Sequence, residues 1–182
     1  MPFPKDHKYT AEEYFTLTPE TNQHVELFNG QIVDYSAPSV IHQDIVGGLY
    51  SEIRSFIKAN NGSCKPMIAP FDVILNEYNV VQPDVMIICD KDKMDGKRCY
   101  GAPDFIIEVT SSNHSNDYVE KLVLYKNAGV REYWIIDPAT EKVLVYLFEK
   151  SMNTVNIYNF SDNVPVGIYG GELSLNIAEL IK

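Results

Sequence analysis

Two acidic residues in this chain stand where acidic residues are costly. Glu108 lies in the run FIIEVT (105–110), between Ile106, Ile107 and Val109. Asp84 opens a second apolar run, DVMIIC (84–89), directly after Gln82-Pro83. Runs with so little alternation read as central strands covered on both faces. An ionised carboxylate in such a strand needs an opposite charge or a metal. With the two strands adjacent, both carboxylates converge on one end of a sheet. Two hard oxygen donors plus water suit Mg²⁺, with Mn²⁺ as a substitute. Such an ion activates a water and neutralises a phosphate.

The segment after Glu108 supplies a candidate cation. Asp117, Lys121 and Tyr125 are spaced four apart, so a helix there puts them on one face. The short connection 111–115 brings the start of that helix back over the strand end, and Lys121 reaches the same cleft. The alternative is an ordinary surface ion pair between Asp117 and Lys121. Glu26, flanked by Val25 and Leu27, points to the face opposite both, either into the cleft or to solvent. His42 sits one turn into a long helical pattern beside its apolar stripe, and its spacing suits a boundary residue as well as a site residue.

The elements that must position these groups are legible as patterns. Thr10 and Glu13 form a capping box that opens a short helix ending near Pro19. Residues 24–28 and 31–36 flank Asn29-Gly30, a two-residue hairpin signal. Ser39 caps a helix running to about residue 60, with Ile41, Ile45, Leu49, Ile53, Phe56 and Ile57 on one face. Strands are expected over 64–69, 71–75, 84–89, 105–110, 132–137, 142–149 and 154–160, with an exposed loop over 90–101. Ser115 or Asn116 caps the crossover helix, Gly129 closes it, and 177–182 is a last helical turn. This order predicts a mixed α/β fold, a central mixed sheet flanked by helices with antiparallel hairpins, in one domain over 1–182.

Composition narrows the function. Hydrophobic residues make up 45% and charged residues 22%, as in an ordinary globular chain. No stretch approaches the roughly 20 apolar residues of a membrane span, and residues 1–8 lack the apolar core of a signal peptide. A cytoplasmic protein without a membrane partner is expected. Cys64, Cys89 and Cys99 form no CxxC pair and read as isolated reduced thiols. The net charge of −10, with 25 acidic and 15 basic residues, opposes strong non-specific DNA binding. There is no Gly-rich phosphate loop, no G-x-S-x-G and no HExxH.

The motifs VELFNGQI, SVIHQ, VVQPDVMII, GAPDFIIEVTSSN and DYVEKLVLYKNAGVREYWIIDP, in this order, resemble the Uma2 (DUF820) family. The resemblance covers roughly residues 9–148. It implies a restriction-endonuclease-like core of the PD-(D/E)xK superfamily and a Mg²⁺-dependent endonuclease acting on nucleic acid, DNA being the expected polymer. It assigns Asp84 to the aspartate of the PD motif, Glu108 to the glutamate of the EV motif, Glu26 to the acidic position of the first hairpin, and Lys121 to the lysine of the following helix. His42 and Gln82 fall at family-like positions and, with Asp117, are accessory candidates. The usual superfamily lysine lies two residues after the acidic residue, where this chain has Thr110; Lys121 is the substitute. Pro-Asp also occurs at Pro103-Asp104, but Asp104 is roughly 13 Å of strand from Glu108, too far to share one metal.

Two other functions fit the same residues. One is a non-catalytic binding or assembly module, with Tyr133, Trp134 and the hairpin after them as a homo-oligomer surface. The other is a hydrolase of a small phosphate ester, which an acidic protein tolerates better than a polyanion. A homodimer is expected, because cutting both strands of a duplex takes two sites.

Overall fold

Hydrogen-bonding chemistry turns the sequence signals into elements. The computed structural model describes residues 3–18, 25–34, 37–110, 117–149 and 154–182, with the backbone alone of residues 117 and 118. Thr10 Oγ1 accepts the Glu13 amide while Glu13 accepts the Thr10 amide, and this capping box opens α1 (Ala11–Leu17). Asn29 and Gly30 take φ of 50° and 80°, the positive values that a tight two-residue hairpin demands. They join β1 (Val25–Phe28) to β2 (Gln31–Asp34). His24 and Ser36, expected at the ends of this hairpin, lie outside the described residues. Ser39 Oγ accepts the His42 amide at the start of α2 (Val40–Ala59). Ile45, Leu49, Ile53 and Ile57 of its apolar stripe are buried, whereas Ile41 is 37% exposed.

The remaining elements are β3 (Lys65–Ile68), β4 (Val73–Asn76), β5 (Asn79–Val81), β6 (Val85–Ile88), β7 (Cys99–Tyr100), β8 (Phe105–Val109), α3 (Asp117–Ala128), β9 (Glu132–Asp137), β10 (Lys142–Leu147), β11 (Val155–Asn159), β12 (Val164–Pro165), β13 (Ser174–Leu175) and α4 (Ile177–Leu180). The Ser115 or Asn116 cap expected for α3 falls outside the described residues. Two larger sheets form, one in the order β11-β10-β9-β8-β6-β3 and one in the order β2-β1-β5-β4-β7. Both are mixed: β8 and β9 run parallel across the α3 crossover, β4 and β7 run parallel, and their other pairings are antiparallel. The expected mixed α/β architecture is the one found.

Burial explains the unbroken apolar runs. Val85, Ile87, Phe105, Ile107 and Trp134 pack with Ile45, Leu49 and Ile53 of α2. Met86, Ile106 and Tyr133 point the other way and pack with Tyr125 of α3. Strands β6 and β8 are covered on both faces, so alternation has nothing polar to alternate with. Among the described residues no helix is long and apolar enough to cross a membrane.

Three expectations need correction. Residues 90–101 are not simply an exposed loop: they hold a 3₁₀ turn (Lys91–Lys93) and β7, whose Cys99 is fully buried. Tyr133 and Trp134 are fully buried too and cannot form an oligomer surface; the Trp134 ring packs edge-on to Phe105 at 5.2 Å. Cys64 and Cys89 are joined as a disulfide, with only Cys99 free. Sheet pairing brings them together, because Lys65 lies opposite Ile88 and the cysteines are the next pair along. Spacing rules for local motifs do not see such a pair. The bridge spans a sequence separation of 25, so by loop closure its reduction is expected to destabilise the fold by on the order of 3 kcal/mol. Urea curves with and without dithiothreitol check this; superimposable curves would show that the bond contributes nothing.

Candidate active site

Strand register sets the centre of the site. Val85 lies opposite Ile107, so Asp84 stands opposite Glu108 at the next position. Within β8, Phe105, Ile107 and Val109 face α2, while Ile106 packs toward α3. Alternation therefore turns Glu108 toward α3. There Lys121 Nζ lies 3.0 Å from Glu108 Oε1, and one helical turn on, the Tyr125 hydroxyl donates to the same oxygen at 2.6 Å. Glu26 arrives from the other sheet. Its neighbours Val25 and Leu27 pack with Tyr9, Tyr14 and Val80, which turns Glu26 to the opposite face and leaves it fully buried. Its Oε2 is 3.0 Å from Lys121 Nζ, and its Oε1 accepts the Gln82 amide at 2.7 Å. One ammonium thus ties the two sheets together through two carboxylates.

Asp84 is held by different donors. Its Oδ2 accepts the Val109 amide at 2.8 Å and lies 3.1 Å from His42 Nε2 at the start of α2. The Gln82 side chain donates to Asp72 Oδ1 at 2.9 Å. Asp104, the other Pro-Asp aspartate, sits at the far end of β8, where it accepts the Cys89 amide at 2.8 Å and pairs with Arg131 at 3.2 Å.

The structure thus gathers Glu26, Asp84, Glu108, Lys121, His42 and Gln82 at one end of the sheet. Lys121 is buried between the carboxylates of Glu26 and Glu108; the side chain of Asp117, its expected surface partner, lies outside the described residues. Glu26 does not face solvent. Two further residues belong to the cluster. Tyr125 had a signal in the sequence, its four-residue spacing from Lys121. Asp72, one residue before β4, had none.

Four carboxylates, those of Glu26, Asp72, Asp84 and Glu108, share this region with one lysine. Burial pushes Glu108 up to about 7, helped by the charges of Asp84 and Glu26 and opposed by Lys121 and the Tyr125 hydrogen bond. Burial also carries Tyr125 well above its ordinary value, so it remains a donor. For His42, burial favours the neutral ring, but the hydrogen bond and charge of Asp84 outweigh it and raise the imidazole. The Glu108 shift fixes a sign. Between 4.5 and about 7 the folded chain keeps a proton that the unfolded chain releases. Stability of the metal-free protein is therefore expected to fall as pH rises through that window, by up to roughly 3 kcal/mol. Denaturation at pH 5 and pH 8 checks it, and Glu108→Gln should flatten the difference. An identical pH slope in the variant would contradict the assignment.

The sequence profile of the Uma2 family, described as "Putative restriction endonuclease", matches residues 11–178. The chain belongs to the Uma2 family. Its fold is shared with a solved structure from Anabaena variabilis ATCC 29413, described as "a putative nuclease belonging to DUF820", at a TM-score of 0.77 and 23% sequence identity. The match covers 93% of this Uma2 chain and 96% of that one. At this identity the likeness shows the fold alone. No curated protein matches this Uma2 sequence.

Proposed function

We propose that this Uma2 protein is a metal-dependent nuclease that hydrolyses phosphodiester bonds, with DNA the favoured polymer. The observation that carries the reading is Asp84 opposite Glu108 on adjacent strands, with the Lys121 ammonium beside Glu108. The donor set fits Mg²⁺. Asp84 uses Oδ2, and Glu108 uses Oε1, for the hydrogen bonds found among the described residues. Asp84 Oδ1 and Glu108 Oε2 are left as two hard donors. No group of three His, Cys, Asp or Glu side chains suited to a metal occurs among the described residues. A pair of carboxylates suits an ion that keeps most of its water, as Mg²⁺ does, and Mn²⁺ can replace it.

When bound, the ion supplies an activated water and offsets charge on the scissile phosphate. The chain's own residues supply the rest. The Val109 amide and His42 fix the Asp84 carboxylate, and Tyr125 and Lys121 fix that of Glu108. Lys121 also donates to the phosphate as charge develops there. Glu26 acts through Lys121 by holding the ammonium from its other side. The net charge of −10 favours contact with nucleic acid at this one site over a broad electrostatic grip.

The test is direct. Supercoiled plasmid, single-stranded DNA and RNA are incubated with the protein in Mg²⁺ or Mn²⁺, with chelator controls. Metal-dependent cleavage of at least one polymer is expected. No cleavage of any polymer in either metal rejects the nuclease. The net charge of −10 gives one specific ground for a second reading, hydrolysis of a small phosphate ester. Turnover of nucleotides or bis(p-nitrophenyl) phosphate without polymer cleavage would favour it.

A further inference from the structure

Strand β11 is the outer strand of the six-stranded sheet. It pairs with β10 in unbroken register, Val155 opposite Tyr146 through Asn159 opposite Lys142. One step further, the Phe160 amide donates to the Glu141 carbonyl. Antiparallel strands alternate between residues that turn their main chain toward a neighbour and residues that turn it away. Asn156 and Tyr158 therefore turn theirs toward β10, and Val155, Ile157 and Asn159 turn theirs outward. Asn159 agrees with this phase, because its outward amide donates to Asp162 Oδ2 at 2.7 Å. Among the described residues, the outward main-chain groups of Val155 and Ile157 have no partner. Their side chains are 37% and 62% exposed.

Soluble proteins protect such edges with lysine, proline, bulges or a covering segment. Residues 154–160 (TVNIYNF) contain no charged residue and no proline. In a chain of net charge −10, this neutral strip is a place where two copies can meet without like-charge repulsion.

We propose that β11 of one copy pairs antiparallel with β11 of a second copy about a two-fold axis at Asn156, joining two six-stranded sheets into one. In this register Val155 of each copy lies opposite Ile157 of the other. Both members of each pair turn their main chain outward, so two such pairs make four main-chain hydrogen bonds and break none. An axis at Ile157 would set the Asn159 amide toward the second copy while Asp162 holds it, which selects Asn156. The exposed valine and isoleucine side chains then cover one another on each side of the axis. The proposal is independent of the nuclease reading and concerns a different part of the chain.

The test uses the full chain. Sedimentation across a concentration series is expected to show a reversible species of twice the 20.7 kDa chain mass. Ile157→Lys is expected to halve that mass with an unchanged melting curve. The register has its own readout. Asn156 faces its own copy at a non-hydrogen-bonded position with Cα atoms about 4.5 Å apart, within disulfide reach. Asn156→Cys should therefore oxidise to a covalent dimer, and Val155→Cys should not. A wild-type protein that stays monomeric throughout the series overturns the proposal. So does a dimer that Ile157→Lys leaves intact while the variant remains folded. Equal cross-linking at 155 and 156 overturns it even if the lysine variant fails to fold.

Discussion

Glu108→Gln is expected to remove metal-dependent cleavage while leaving the protein folded. The glutamine keeps an oxygen for Tyr125 and Lys121, which meet Oε1 at 2.6 and 3.0 Å. It puts an amide nitrogen, which does not ligate Mg²⁺, in place of the second carboxylate oxygen. The expected loss is on the order of 10³-fold, the rate equivalent of roughly 4 kcal/mol of charge stabilisation. Stability should not fall, and above pH 7 it should rise, because a buried carboxylate raised to about 7 no longer has to ionise in the fold. Lost stability together with lost activity would point to a scaffold residue. Glu108→Ala tests the same loss without the retained oxygen. Cleavage that persists in both variants would remove Glu108 from the chemistry.

Lys121→Met is expected to be the most destabilising single change in the site. It takes away the ammonium that lies within 3.0 Å of both Glu26 and Glu108 and leaves both carboxylates buried. Breaking a buried pair from one side costs about 3–5 kcal/mol, whereas a surface pair with Asp117 would cost about 1 kcal/mol or less. The sign with pH is fixed by Glu108. Lys121 holds its carboxyl down, so without the lysine Glu108 stays protonated to higher pH. The destabilisation is then largest above pH 7 and shrinks as the solution is acidified. Combining Lys121→Met with Glu108→Gln should return part of the loss, a coupling that a double-mutant cycle measures. A cost under about 1 kcal/mol, independent of pH, would return Lys121 to the role of a surface residue.

Local chemistry accounts for what is legible in the sequence. The capping box, the Asn29-Gly30 hairpin, the Ser39 cap and the apolar runs of β6 and β8 are each set by near neighbours in sequence. Long-range pairing set the rest. Glu26 and Lys121 meet across a sequence separation of 95, and nothing in either segment reports that one sheet turns its carboxylate toward the other. The Cys64–Cys89 bond escaped for the same reason. Glu132 shows why a buried carboxylate alone does not locate a site. It too lies in an apolar strand and is fully buried. It accepts the Trp134 indole at 2.7 Å and the amides of Gly167 and Ile168 at 3.0 and 2.8 Å. The two amides tie it to the segment packed against β9. Glu108 has the Asp84 carboxylate opposite it and the Lys121 ammonium beside it. The motif resemblance supplied what local reading lacked, a reason to expect Lys121 in the cleft when helical spacing alone favoured a surface ion pair.

A crystal soaked in Mn²⁺ reports on the proposed metal site by the position of its anomalous density. One peak is expected within coordination distance of Asp84 Oδ1 and Glu108 Oε2, at roughly 2.0–2.2 Å from each, and it should be lost in Glu108→Gln. No peak between these two carboxylates at saturating Mn²⁺, with Lys121 still bridging Glu26 and Glu108 as found here, would contradict it.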